Sequence, residues 1–289
     1  MTPNDRAAVL VEALPYLQRF RGETFVIKYG GSAMENEDLV GRVLRDVVFL
    51  EAAGINPVLV HGGGKAITRA MKAAGVEAKF IDGLRVTDAA QIDLIDRTLA
   101  SEIAPGIVRQ IETFGGRATA LSGKEALKAA KMEYTTAKGE AVDLGFVGDV
   151  NWVDAARISE IVAREAIPVI SPLARGANGE LYNINADIAA SEVAKALKAR
   201  KLVYLTDVNG VLLDPAIPSS TIPTLTPSSI ADLKDKGVIA GGMIPKVDSA
   251  VEALGHGVGQ VHFLDGRIPH ALLLETFTDA GIGTEIHKD

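Results

Sequence analysis

The chain contains no cysteine among its 289 residues. Disulfide bonds, thiolate metal sites and cysteine nucleophiles are therefore excluded, and the composition fits a reducing cytoplasm. Aromatic residues make up only 5% of the chain, so alanine, valine, isoleucine and leucine have to build the core. A protein with so few aromatic side chains is poorly suited to binding single-stranded nucleic acid by base stacking.

Positive charge and long apolar segments are lacking as well. The formal net charge is −7, which provides no overall basic field to attract nucleic acid or anionic lipid. No apolar run approaches the roughly 20 residues of a membrane helix, and Glu12 interrupts the N-terminal apolar stretch that would otherwise resemble a signal peptide. We therefore expect no nucleic-acid or membrane partner, and any anionic ligand has to meet a local cluster of cations.

Short β-branched segments alternate with segments of helical periodicity. The predicted strands are Thr24–Tyr29, Pro57–His61, Arg117–Leu121, Ile167–Ser171, Lys201–Thr206 and Gln260–Leu264. Gly54 and Gly75 follow the first two helical segments and are expected to end them. This alternation predicts an α/β fold in which helices cover both faces of a mainly parallel sheet.

The first twenty residues read as a separate helical element. Leu10, Leu14 and Leu17 lie on one helical face, and Pro15 is expected to kink the helix. Two interpretations stay open: the helix docks on its own domain, or it is an arm that packs on another subunit. Further along, a helix predicted over Asp187–Ala199 precedes the strand "KLVYLTD" and suggests a domain division there.

Glycines follow two of the predicted strands directly. They are Gly30 and Gly31 in "YGGS", and Gly62, Gly63 and Gly64 in "HGGG". Glycines at a strand-to-helix junction let the backbone approach a ligand, and the N–H groups of the helix N-terminus attract an anion. The spacing matches neither a Walker A loop nor the G-x-G-x-x-G pattern, where isoleucine occupies the last position. A nicotinamide-dependent oxidoreductase is therefore disfavoured.

Charged and amide side chains stand close to these or similar turns. In "NINAD", Asn183, Asn185 and Asp187 alternate with apolar residues and face one way if the segment is extended. The alternative reading makes Asp187 an ordinary helix N-cap. Lys28 ends the first predicted strand, and Lys246 lies in the first turn of a helix, where an anion would reverse its unfavourable interaction with the helix dipole.

A further cation, Arg85 in "DGLRVTD", precedes an expected helix cap at Thr87 or Asp88, and its guanidinium can bind a carboxylate with two hydrogen bonds. Two lysines, an arginine, an aspartate and two asparagines beside glycine turns suit phosphoryl transfer to an anionic acceptor. The cations offset the repulsion between ATP and that acceptor. A carboxylate acceptor is already a nucleophile and needs no general base.

The motifs "IKYGG", "VHGGG", "GLRVTD", "DLGFVGDV", "NINAD", "LTDVNG", "GGMIPKV" and "LDGRIPHALLLETFTDAGIGT" follow one another along nearly the whole chain. In this order they resemble the amino acid kinase family, and within it the kinases that phosphorylate N-acetyl-L-glutamate in arginine biosynthesis. The resemblance implies a three-layer αβα sandwich around a mainly parallel open sheet. It also implies that residues 22–197 hold the acyl amino acid and residues 198–289 hold ATP, while residues 1–21 form an oligomerisation arm.

The resemblance assigns roles to individual residues. Lys28 and Lys246 would neutralise the transferring phosphoryl group, and Asp187 would hold the two lysines in place. Backbone N–H groups of Gly30, Gly31, Gly62 and Gly63 would bind the phosphates and the acyl acceptor. Arg85 and Asn183 would bind the acceptor α-carboxylate, with Asn185 nearby. Asp207 would belong to the nucleotide side. Magnesium would arrive with ATP, without a dedicated metal site on the protein.

The N-terminal helix is similar to that of the arginine-inhibited branch of these kinases, in which a kinked helix links dimers into a hexamer, a trimer of dimers. By this resemblance, Tyr16, His262, Glu275 and Gly281 lie near bound arginine. The charge of Glu275 suits a guanidinium, and the alternative is a solvated helix carboxylate.

Two positions depart from the family pattern beside the expected site: Lys65 stands where many relatives carry proline, and Ser32 where histidine or asparagine is frequent. Two further functions stay open. One is a kinase for N-acetyl-aminoadipate in lysine biosynthesis, because one methylene provides only about 1–3 kcal/mol of discrimination. The other is a non-catalytic amino acid sensor on the same fold, although a sensor has no need of Lys28, Asp187 and Lys246 together.

Overall fold

The computed structural model describes residues 2–34, 36–136, 139–214, 216–241, 243–279 and 281–289. The helices are α1 Pro3–Glu12, α2 Leu14–Phe20, α3 Glu37–Ala52, α4 Gly64–Ala73, α5 Ala89–Thr98, α6 Ala104–Thr113, α7 Gly123–Ala126, α8 Ala155–Ala163, α9 Ala186–Leu197, α10 Pro227–Asp235, α11 Met243–Gly255 and α12 Ala271–Phe277. A π-helical segment, Leu99–Ile103, joins α5 to α6, and 3-10 turns lie at Gly31–Met34 and Pro218–Ser220.

The strands form one large sheet, one smaller sheet and two short hairpins. They are β1 Thr24–Tyr29, β2 Asn56–His61, β3 Phe80–Ile81, β4 Leu84–Arg85, β5 Ala118–Ser122, β6 Leu127–Lys131, β7 Tyr134–Thr135, β8 Ala141–Val142, β9 Gly148–Val153, β10 Ile167–Ser171, β11 Leu173–Arg175, β12 Leu181–Asn183, β13 Lys201–Thr206, β14 Thr224–Leu225, β15 Gln260–Asp265 and β16 Thr284–His287.

The large sheet has eight strands in the order β14–β16–β15–β13–β1–β2–β10–β5. The six strands from β15 to β5 are parallel, and β16 runs antiparallel to β15. The six predicted strands are the six parallel ones: β1, β10 and β13 match residue for residue, β2 and β15 differ by one residue at one end, and β5 is shifted by one residue at both ends. The prediction of a mainly parallel sheet is confirmed.

Alternate residues of the buried strands pack on opposite faces of the sheet. Val26 of β1 belongs to a core shared with α8, α9, α10 and α11, whereas Phe25 and Ile27 belong to a core shared with α2 to α6 and α12. This alternation is expected for a strand with helices on both sides. The three-layer αβα architecture is therefore confirmed.

The smaller sheet, β12–β11–β6–β9, contains both parallel and antiparallel pairs and was not predicted. Its strands β11 and β12 have three residues each, and the longer β6 and β9 carry exposed polar residues, as in "LKAAK" of β6. It matters for function because β12 carries Asn183 and lies beside the loop that precedes β9.

The helix ends follow local sequence signals closely. Gly54 and Gly75 have positive φ angles of 85° and 72° just after α3 and α4, so both predicted stops are confirmed. The N-cap of α5 is Asp88, whose carboxylate accepts from the N–H groups of Ala90 and Gln91. The N-terminal element breaks at Ala13, which places Pro15 within the first turn of α2, where proline is tolerated.

The expected division between residues 22–197 and 198–289 falls between two neighbouring strands of one sheet. β1 and β13 are paired in parallel from Phe25 to Lys28 and from Lys201 to Tyr204. The carboxyl ends of the parallel strands share one edge, where Lys28 is level with Val60 of β2 and Tyr204 of β13. Within the part of the chain that the structure describes, no helix is long and apolar enough to cross a membrane.

Candidate active site

One carboxylate joins the two lysines at the carboxyl edge of the sheet. Nζ of Lys28, at the end of β1, lies 3.0 Å from Oδ1 of Asp187, and Nζ of Lys246, in α11, lies 2.8 Å from Oδ2. The three residues come from distant parts of the chain, and the structure brings them together as the resemblance implied. The two ammonium groups are thus held on the two oxygens of a single carboxylate.

Asp187 lies in the first turn of α9 but does not cap the helix. The N-cap is Asn185, whose side-chain oxygen accepts from the N–H groups of Asp187 and Ile188 at 2.7 and 3.4 Å. The alternative in which Asp187 is an ordinary N-cap is therefore wrong. Because Asn185 satisfies the helix end, the Asp187 carboxylate is available to bind both lysines.

The charges of this cluster are only partly neutralised. Burial acts to raise the pKa of Asp187, but the two lysines outweigh it and the pKa lies below the usual value for aspartate. Two ammonium groups share one carboxylate, so the cluster carries net positive charge. Lys28 keeps 15% of its side chain exposed and Lys246 keeps 33%, and an incoming anion can reach both.

The glycine turns leave space around Lys28. A Cβ atom on Gly30 would lie 3.1 Å from Nζ of Lys28 and 3.6 Å from the Cα of Gly62, so the two turns approach each other through bare backbone. Gly31 has a φ of 67°, and a Cβ there would lie 3.0 Å from a carboxylate oxygen of Asp207. A side chain on Gly63 would meet Ile103 at 2.8 Å. The sequence prediction that these glycines clear room at strand ends agrees with this geometry.

A cavity of about 890 Å³ opens beside these turns. Its lining includes Gly31, Gly63, Lys65, Arg85 and Asp207. Lys65, one of the two departures from the family pattern, therefore borders the cavity, whereas the side chain of Ser32 lies outside the described residues. The cavity has the size of a small-molecule site.

Arg85 points its guanidinium into this region from β4. It is 7% exposed, donates to the Gly64 carbonyl and the Thr68 hydroxyl at 2.9 Å each, and contacts the sulfur of Met71 at 3.3 Å. Its guanidinium carbon lies 4.5 Å from the centre of the Phe80 ring, a cation–π contact. Burial lowers the pKa of Arg85, but an arginine this basic stays charged. None of the described carboxylates forms an ion pair with it, so an anionic ligand would supply the missing charge.

Asn183 is linked to the main chain of Arg85 through Thr87, a residue that the sequence did not single out for function. The Asn183 side-chain nitrogen donates to the Thr87 hydroxyl at 3.3 Å, and that hydroxyl donates to the Arg85 carbonyl at 3.0 Å. Thr87 was considered only as a helix cap, and its burial to 0% is not visible in the sequence. Asn185, which was expected nearby, uses its side-chain oxygen to cap α9 instead.

Three of the four expected effector residues form a second cluster. His262 is fully buried and donates from Nδ1 to Glu275 at 2.7 Å, while the Ile282 N–H donates to the other Glu275 oxygen at 2.8 Å. A Cβ on Gly281 would lie 3.1 Å from Glu275. Tyr16 instead donates to Asp279 and packs edge-on against Phe277, so it contacts the same helix end from α2.

The Glu275 carboxylate is not a solvated helix side chain, because only 7% of it is exposed. Burial acts to raise its pKa, but the hydrogen bonds from His262 and the Ile282 N–H, together with nearby positive charge, outweigh burial, and the pKa lies below the usual glutamate value. Burial also lowers the pKa of His262, which favours its neutral form.

Sequence reasoning missed the buried Lys201 beside this cluster. Burial lowers its pKa to about 8, and the charges of Glu275 and Glu285 oppose that shift. Possible metal-ligand atoms of His262, Glu275 and Glu285 lie within 4.8 Å of one another. Lys201 already provides a positive charge beside these carboxylates. A lysine at the first position of a buried strand, as in "KLVYLTD", was the available signal.

Comparison with known proteins points to one family. The profile of the amino acid kinase family matches residues 23–265. The chain is 51% identical to acetylglutamate kinase of Desulfitobacterium hafniense, an alignment that covers 97% of this chain and 96% of that protein. It is 47% identical to acetylglutamate kinase of Akkermansia muciniphila, covering 99% of this chain and 96% of the relative.

Solved structures agree with this grouping. N-acetylglutamate synthase from Neisseria gonorrhoeae, complexed with coenzyme A and N-acetyl-glutamate, superposes with a TM-score of 0.84 at 28% identity, over 98% of this chain and 63% of the synthase. The same synthase complexed with coenzyme A and L-arginine gives 0.79 at 29% identity, over 98% and 65%. Giardia carbamate kinase gives 0.67 at 18% identity over 93% of this chain and 99% of that chain, which concerns the fold alone. The chain belongs to the amino acid kinase family.

Proposed function

We propose that the protein transfers the γ-phosphoryl group of ATP to the side-chain carboxylate of N-acetyl-L-glutamate, forming N-acetyl-L-glutamyl 5-phosphate in arginine biosynthesis. The observation that carries the proposal is the Asp187 carboxylate held between Lys28 and Lys246 at the carboxyl edge of the sheet. Near-full-length identity of about half the residues to acetylglutamate kinases supports the same substrate. The reaction uses ATP, and the proposal includes a cytoplasmic location.

In this reaction a carboxylate oxygen forms a bond to the γ-phosphorus while the bond from that phosphorus to the ADP oxygen breaks. No proton has to move, because the acceptor is already ionised. The barrier comes mainly from bringing anions together and from charge that shifts toward ADP. Lys28 and Lys246 meet that charge with positioned ammonium groups, and Asp187 fixes their separation.

The neighbouring residues divide between the two substrates. Arg85, buried without an acidic partner among the described residues, would bind the α-carboxylate of the acceptor, with Asn183 on the other side of Thr87. The backbone N–H groups of the glycine turns at Gly30, Gly31, Gly62 and Gly63 would bind phosphate and acceptor oxygens. Asp207, beside Gly31, would lie on the nucleotide side.

Mg²⁺ would come bound to ATP. Magnesium prefers oxygen ligands, but the Asp187 oxygens already accept from two ammonium groups. The nucleotide phosphates are therefore the better ligands, and when bound the ion adds positive charge to them.

Regulation by arginine belongs to the proposal as well. Its support is the buried Glu275 carboxylate, which suits a guanidinium, together with the related synthase whose structure contains L-arginine. Tyr16 of α2 contacts the same region, and α1 exposes Val9, Leu10 and Val11 by more than half. These exposed residues favour the arm interpretation, in which α1 packs on another dimer in a trimer of dimers.

The experiment is ATP-dependent formation of a hydroxamate, since hydroxylamine traps acyl phosphates. Product with N-acetyl-L-glutamate and at least tenfold less with N-acetyl-aminoadipate is the expected result. The reverse preference would identify the lysine-pathway kinase instead. If neither acceptor yields product, the non-catalytic sensor replaces the kinase. Adding arginine to the same assay tests regulation separately. If product forms but arginine does not reduce it, the regulatory assignment fails and the catalytic assignment is unaffected.

A further inference from the structure

Thr87 is buried and hydrogen-bonded to Asn183 and to the main chain of Arg85, the two residues proposed to bind the acceptor α-carboxylate. Its side chain is 0% exposed, and its hydroxyl donates to the carbonyl of Arg85 at 3.0 Å while accepting from the Asn183 side-chain nitrogen at 3.3 Å. A hydroxyl has one proton and two lone pairs, so it can make both bonds at once. Asp88, not Thr87, caps α5, which leaves this hydroxyl free of a capping role.

The main chain around Thr87 is held independently of the hydroxyl. Its N–H donates to the Leu144 carbonyl at 2.9 Å, and its carbonyl accepts from the Phe146 N–H at 2.6 Å. The Asn183 N–H in turn donates to the Phe146 carbonyl at 2.9 Å. The backbones of β4, β12 and the intervening loop are therefore tied together already, and the hydroxyl governs the orientation of a side chain.

That side chain is the Asn183 amide. Its nitrogen carries two protons, and the bond to Thr87 uses one of them. Fixing the first proton fixes the plane of the amide and hence the direction of the second. Meanwhile the Arg85 guanidinium uses three of its five N–H groups on Met71, Gly64 and Thr68, which leaves two without a partner among the described residues.

We propose that Thr87 is a positioning residue for the acceptor: its hydroxyl orients the Asn183 amide so that the amide and the Arg85 guanidinium bind one carboxylate together. The proposal rests on the proposed function for the identity of the acceptor. Thr87 does not touch the reacting atoms. Its loss should weaken acceptor binding without slowing phosphoryl transfer in the bound complex.

Thr87→Val tests this, because valine has nearly the same shape and lacks the hydroxyl. We expect the KM for N-acetyl-L-glutamate to rise about tenfold, as for one lost hydrogen bond, with kcat and the KM for ATP within about twofold of wild type. Thr87→Ser keeps the hydroxyl and should restore the acceptor KM to within about threefold of wild type.

A double-mutant cycle with Asn183→Ala separates positioning from general damage. If Thr87 acts through Asn183, Thr87→Val raises the acceptor KM by less than about twofold once Asn183 is already alanine. Full additivity, an unchanged acceptor KM in Thr87→Val, or equal impairment of Thr87→Ser and Thr87→Val would each overturn the inference. Thr87→Ala replaces valine in the cycle if the valine variant does not fold. Absence of product from wild-type protein would instead refute the proposed function.

Discussion

At the scale of single residues, the site depends on how few negative charges are placed among several positive ones. Asp187 balances Lys28 and Lys246, and Arg85 has no described acidic partner at all. A cluster with surplus positive charge repels itself unless an anion binds. The site is therefore suited to anionic substrates, and the carboxylate of Asp187 fixes the positions of the two lysines before a substrate binds.

Replacing Asp187 by asparagine should lower kcat by about 10²-fold or more, because two lysines would lose the group that fixes their positions. Steady-state hydroxamate formation measures the effect. Asp96→Asn is a matched control, since Asp96 forms a similar half-buried ion pair with Lys124 at 2.7 Å, outside the active site. A kcat within threefold of wild type in Asp187→Asn would show that the carboxylate does not organise the lysines.

At the scale of secondary-structure elements, α12, which carries Glu275, is anchored to α3, the helix that follows the glycine turn at Gly30 and Gly31. Asp46 of α3 is 1% exposed and accepts from His270 at 2.6 Å, at the residue just before α12. Burial is the main cause that raises the pKa of Asp46 to about 6, and the His270 hydrogen bond opposes it only in part.

This raised pKa has a defined consequence for stability. Between about pH 4 and pH 6 the folded protein keeps a proton on Asp46 that the unfolded chain has lost, so the stability contributed by this group falls as pH rises. Asparagine cannot ionise. We therefore expect the Tm of Asp46→Asn minus that of wild type to increase by several degrees from about pH 4.5 to pH 7.

Thermal unfolding at several pH values measures this difference, with Asp38→Asn as the control for an exposed aspartate on the same helix. A difference between Asp46→Asn and wild type that stays flat or decreases over this range would contradict the account. The sign matters more than the size, because Arg45 and His270 also lie near the carboxylate.

The sequence predicted some strands and site residues well and missed others. Five of the six parallel strands are largely buried, and the pattern identified all six to within one residue at each end. In the smaller sheet, β11 and β12 have only three residues each, β6 and β9 are partly polar, and the pairing depends on contacts distant in sequence. Lys28, Asp187 and Lys246 were found because they stand in ordered motifs. Thr87 and Lys201 were missed because their burial and their neighbours, not their residue types, distinguish them.

At the scale of the whole molecule, the N-terminal element divides into a docked part and an exposed part. Phe20 of α2 is 3% exposed and belongs to the core, whereas Leu10 of α1 is 68% exposed. An exposed apolar helix of this kind suits contact with another subunit. Removing residues 1–13 therefore deletes the exposed helix and keeps the docked one.

We expect this truncation to reduce the molecular mass in solution from that of a hexamer to that of a dimer, with catalysis retained. Light scattering coupled to size-exclusion chromatography measures it. Substituting Leu10 by glutamate in the full chain provides a second test without a deletion. If both variants keep the mass of the wild-type protein, α1 does not hold the assembly together.

In the proposed reaction, Lys28 offsets the charge of the phosphoryl group during its transfer to a carboxylate. The most direct test compares kcat for ATP-dependent hydroxamate formation from N-acetyl-L-glutamate between wild type and Lys28→Ala, at saturating substrates. We expect a decrease of about 10²–10³-fold, the usual effect of removing one positioned electrostatic group. Near-normal turnover in Lys28→Ala would contradict it.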